Sequence, residues 1–164
     1  MTKWRALFFL VSLVAWATRV DTPVFAQTQK TDKKAQDMAG IAKLHQQDID
    51  ATLSRDPVAL TDLWTDDAVR LGPVPPADVG RKAIRESNER LTANKEFKVL
   101  SYVPENREMI FLDGGWEVEW RPYTASFVTS PGGAPVNLRG MVLGVHKKMS
   151  DGTWKGFRGA GIFY

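Results

Sequence analysis

After residue 96 the chain is cut by turn signals into long extended runs, and none of them carries a helical period. Phe97 to Val103 ends at Pro104, Arg107 to Leu112 at Asp113-Gly114-Gly115, and Trp116 to Val128 before Pro131-Gly132-Gly133. Val136 to Met149 and Trp154 to Phe163 flank Ser150-Asp151-Gly152-Thr153, a tight hairpin. Earlier in the chain the signals are mostly helical. Three helices followed by an antiparallel meander specify an α+β architecture, and 164 residues suffice for one sizeable core.

The helical half is read from its punctuation. From about Met38 to Leu53, Ile41, Leu44, His45, Asp48, Ile49 and Thr52 recur at spacings of three and four and share one face. Asp56 caps a short second helix with Pro57 at its first position, where a missing N–H costs nothing. Ala68 to Leu71 reads as a strand ended by Gly72-Pro73-Val74-Pro75-Pro76, and a third helix runs from about Gly80 to Ala93. The first helix face is unusual because His45 and Asp48 sit in the middle of an apolar stripe. They either pair with each other or line a cavity that wants polar groups.

Lys3 and Arg5 precede an apolar run, Ala6 to Ala17, and Val24-Phe25-Ala26 offers small residues for cleavage before Gln27, with Ala15-Trp16-Ala17 as a second site. Residues 1–26 read as a signal peptide, 27–37 as a flexible polar leader and 38–164 as the folded domain. The expected location is therefore periplasmic or secreted, with no membrane attachment after cleavage. Of 22 basic and 19 acidic residues, Lys3, Arg5, Arg19 and Asp21 lie in the signal segment, which leaves the remainder at a net charge of +1. That balance carries no electrostatic footprint for nucleic acid. The absence of cysteine excludes disulfides, thiol catalysis and thiolate metal sites.

The order of several motifs resembles the nuclear transport factor 2-like superfamily, in its SnoaL-like and ketosteroid isomerase-like, domain-of-unknown-function branch. The residues that carry the likeness are Arg55-Asp56, Leu63-Trp64-Thr65-Asp66-Asp67-Ala68-Val69 and Gly80-x-x-Ala83-Ile84-Arg85, followed by Gly140 to Lys148 and Asp151-Gly152-Thr153-Trp154-Lys155. The resemblance implies a cone-shaped curved antiparallel sheet wrapped around three N-terminal helices, an apolar pocket inside the cone, and a homodimer formed through the sheet. It does not imply the isomerase reaction. Gly72 stands where that branch carries its carboxylate base, Gly140 to Gly144 contains no acid, and Asp48 matches the Tyr of the oxyanion hole. An ionised Asp cannot donate the hydrogen bond that such a Tyr supplies.

Asp48, with His45 one turn away, is the leading pair for proton transfer. Trp64, Tyr123, Arg139 and Arg158 are candidate ligand contacts, the aromatics for a flat apolar molecule and the cations for a carboxylate on it. His146 reads as a strand residue at a surface, and no metal set or cofactor motif is recognised. The alternation of Trp116, Val118 and Trp120 against Glu117, Glu119 and Arg121 leaves the charged face free to point inward, into an interface or to water. The expected function is binding of a small hydrophobic molecule. The alternatives are a lyase or isomerase using Asp48 with His45, and a homodimeric association domain.

Overall fold

The computed structural model describes residues 24–72, 75–105 and 108–164, with side chains from residue 31 onward. The expected signal peptide lies outside these residues except for its last positions, which open the first helix. That helix, α1 (Val24–Ser54), begins well before Met38. The stretch expected to be a flexible leader is helical because its Gln, Lys and Ala residues are good helix formers. It is also tied to the sheet, since Lys148 donates to the buried Asp37 carboxylate at 2.6 Å. No helix among the described residues is long and apolar enough to cross a membrane.

α2 (Pro57–Asp62) starts as its sequence requires, with Asp56 Oδ1 accepting from the Val58 and Ala59 amides at 2.8 and 3.2 Å. Arg55 holds the junction between α1 and α2 in a left-handed backbone conformation, φ 55°. Its guanidinium donates to the carbonyls of Leu91, Asn94 and Phe97 and lies over the Phe97 ring. One arginine thus fastens the end of α1 to the end of α3 (Arg81–Ala93).

The strands are β1 (Trp64–Leu71), β2 (Asp78–Val79), β3 (Lys98–Pro104), β4 (Glu108–Leu112), β5 (Trp116–Val128), β6 (Val136–Lys148) and β7 (Trp154–Phe163). They form one sheet in the order β2-β1-β7-β6-β5-β3, with β4 also on β5. The expected sheet was wholly antiparallel. The observed one is mixed, because β1 arrives from the helical half and pairs parallel to β7. The α+β class stands. A small apolar centre of Ile41, Leu44 and Trp154, with Leu63, Met109 and Phe111 against it, joins α1 to the sheet. Gly40 allows this approach, since a Cβ there would fall 2.5 Å from Trp154 Cδ1.

Candidate functional site

α1 lies across the sheet and encloses with it a cavity of about 660 Å³. Leu44, Leu60, Leu63, Trp64, Leu71 and Leu91 supply most of its apolar wall. The polar end is built by α1 and the inward face of β5. Because β-strand side chains alternate, Glu117, Glu119, Arg121 and Tyr123 all point the same way, and their cross-strand partners on β6 are His146, Gly144, Val142 and Gly140. The two glycines are what make room. A Cβ on Gly140 would run into the Tyr123 ring, and one on Gly144 would lie 3.0 Å from His146 Cε1. Gly156 and Gly159 on β7 serve Trp64 in the same manner, with ring atoms 2.9 and 2.7 Å from where their Cβ atoms would be.

Arg121 is the hub of one half of the polar end. It donates to Asp48 Oδ2 at 2.9 Å, Tyr102 donates to the same oxygen at 3.1 Å, and Arg121 Nε lies 3.6 Å from Glu119 Oε1. Burial of Tyr102, reinforced by the Asp48 charge, pushes its phenol well above the ordinary range, so it stays a neutral donor. Burial alone would weaken the hold of Arg121 on its proton, but Glu119, Tyr102 and Asp48 outweigh that and raise it.

Two histidines form the other half, their ring centroids 6.2 Å apart. His146 Nδ1 is hydrogen-bonded to Glu117 Oε2 at 2.7 Å, and its Nε2 lies 3.9 Å from Glu119 Oε1. His45 Nε2 comes within 2.8 Å of Glu119 Oε2 without the alignment of a hydrogen bond. Burial opposes ionisation of Glu119, yet His45, His146 and Arg121 together hold its carboxyl below the usual range. One atom from each of Glu117, Glu119 and His146 falls within 4.8 Å of the others, a spacing that a single cation can bridge.

Of the residues singled out in the sequence, Asp48, His45 and Trp64 line this cavity. Asp48 and His45 are not paired with each other there; they engage Arg121 and Glu119 respectively. Arg158 borders the cavity, but its guanidinium donates to the Asp67 carbonyl and stacks on Phe157. Tyr123 packs edge-on against Tyr102 rather than on the cavity, and Arg139 lines a separate shallow depression with Ser126 and Tyr164. His146, expected at a surface, is held inside by its bond to Glu117. Glu117, Glu119, Arg121 and Tyr102 were not among the sequence candidates. Gly144, opposite Glu119 on β6, was the available signal.

No protein-family model matches the chain, and neither does any curated protein sequence. Solved structures do match. A ketosteroid isomerase-like protein from Erwinia carotovora atroseptica superposes with a TM-score of 0.64 at 21% identity, covering 75% of this chain and 92% of that one. The hexachlorocyclohexane dehydrochlorinase LinA-type3 from Novosphingobium barchaimii gives 0.68 at 15% identity, covering 82% and 90%. ActVI-ORFA from Streptomyces coelicolor gives 0.66 at 15%, covering 77% and 96%. At these identities it is the architecture that is shared, and the chain has the nuclear transport factor 2-like fold.

Proposed function

We propose that this protein binds a small, largely apolar molecule in the cavity and moves a proton on it, as a lyase or isomerase does. The observation that carries this reading is the convergence of His45 and Asp48 with Glu119 and Arg121 at one end of a largely apolar chamber. His45 is the proton-transfer group, and Glu119 beside it stabilises the imidazolium that forms. Asp48 acts through others: it accepts from Tyr102 and from one nitrogen of Arg121, and the remaining guanidinium N–H groups are donors suited to an oxygen that gains charge. The isomerase-like and dehydrochlorinase proteins that share the fold support the same class. In this reading the protein acts outside the cytoplasm, on the strength of its basic and apolar N-terminal segment.

The test begins with native mass spectrometry of protein purified from its own cells. The expected result is a reproducible bound mass, lost in Trp64→Ala. That molecule, returned to the protein in D₂O, gains deuterium at carbon with the native chain and not with His45→Gln. A bound molecule that exchanges no deuterium reduces the function to binding. A chain that retains nothing rejects the reading.

A second observation favours self-association. The outer face of the sheet carries Ile110, Trp120, Leu143 and Ile162, each at least one-third exposed. We propose that a second copy of the chain covers it, forming a homodimer.

A further inference from the structure

Glu117 has no exposed surface, and only one of its carboxylate oxygens has a partner; Oε1 is buried without a hydrogen bond. Glu119, 3% exposed, has Oε2 in the same condition. Buried carboxylate oxygens normally accept hydrogen bonds, and an orphan costs on the order of 1–3 kcal/mol or more. The facing His45 Nε2 sits 2.8 Å from Glu119 Oε2, close enough for an ion pair when protonated but without the alignment of a hydrogen bond.

Charge points the same way. Asp48, Glu117 and Glu119 bring three carboxylates into this cluster, against one arginine, Arg121, and the two imidazoles. Burying carboxylates is costly unless positive charge sits among their oxygens.

We propose that Glu117, Glu119 and His146 hold one divalent transition-metal ion of the zinc type. Their ligating atoms already lie within 4.8 Å of one another, so an ion at ordinary bond lengths of about 2.0–2.2 Å reaches all three after small adjustments. Two carboxylates and one imidazole suit such an ion, and the absence of thiolates disfavours softer ones. Three protein ligands leave a coordination position free. Since Glu119 and His146 border the cavity, that position opens toward whatever occupies it. The inference does not depend on proton transfer; a protein that only binds a molecule would use the ion to grip a polar group on it.

The test uses metal alone. The full chain is stripped with chelator, titrated with Co²⁺ and followed by visible absorption, with stoichiometry read by elemental analysis after desalting. One ion per chain is expected, with affinity reduced at least ~100-fold in both Glu117→Gln and His146→Ala, and unchanged in Asp66→Asn. Anomalous diffraction from Co²⁺-loaded crystals should place the ion among the three side chains. A folded native chain that takes up no Co²⁺ overturns the proposal. So does an ion held equally well by Glu117→Gln, or an anomalous peak elsewhere. Circular dichroism separates loss of a ligand from loss of fold, and His146→Ala, at a partly exposed position, keeps the question answerable if Glu117→Gln unfolds.

Discussion

The two faces of β5 invert the usual arrangement. Inward, Glu117, Glu119 and Arg121 are 0, 3 and 3% exposed, whereas outward Trp120 is 36% and its cross-strand partner Leu143 is 54% exposed. A strand that served only the core would be turned over, with aromatics inside and charges in water. Burying three charges and leaving a tryptophan in solvent is unfavourable for an isolated chain on both counts. In the proposed reading, the inner face answers to what the cavity receives and the outer face to the second copy that covers it.

The largest expected effect breaks the inner face. Arg121→Met leaves Asp48 and Glu119 without their fixed cation. Stability in urea should fall by about 3–5 kcal/mol, the usual cost of orphaning buried partners. A loss under about 1 kcal/mol would mean that these carboxylates do not rely on Arg121, and the contrast between the faces would collapse. Outside, Leu143→Asp puts a charge at an exposed position of the same sheet. It should turn a homodimer into a monomer in sedimentation, with the far-ultraviolet circular dichroism unchanged. A native chain already monomeric at micromolar concentration would remove the explanation for the outer face.

A smaller effect sharpens the inner half. Tyr102 has a phenol pKa raised by burial and by Asp48. The folded state therefore retains a proton that the unfolded state loses, and the resulting contribution is present below the ordinary tyrosine pKa of 10.0 and declines as pH rises above it. Unfolding measured from pH 9 upward should show that decline in the native chain and less of it in Tyr102→Phe, which also loses about 1 kcal/mol at neutral pH.

Much of this was legible in the residues. Asp56-Pro57, the Asp-Gly hairpin and the bounds of β5 and β7 follow from local chemistry, which acts within a few residues. His45 and Asp48 stood out because a helical stripe makes a polar intrusion visible. The charged face of β5 did not stand out, since alternation reads the same whichever face is buried. Only the helix laid over one side breaks that symmetry. The partners of His45 and Asp48 were hidden for the same reason, being far away in sequence on β3 and β5. The mixed sheet escaped notice because β1 pairs with the end of the chain, and nothing local to Trp64–Leu71 announces a parallel neighbour. The early start of α1 was missed because a polar helix has no apolar period to detect.

The fastening of α1 bears on how molecules come and go. The helix is pinned near its middle, at Asp37, by Lys148 and just past Ser54 by the Arg55 contacts to the far end of α3. A beam held at two points does not swing open, so traffic into the chamber has to pass beside it. Away from the polar end, the chamber is lined by Gly72, Pro75 and Pro76 and by Ser87, Arg90 and Leu91. With the helix pinned, the rim at these residues, the exposed Arg90 among them, is the part of the wall left to influence which molecules arrive.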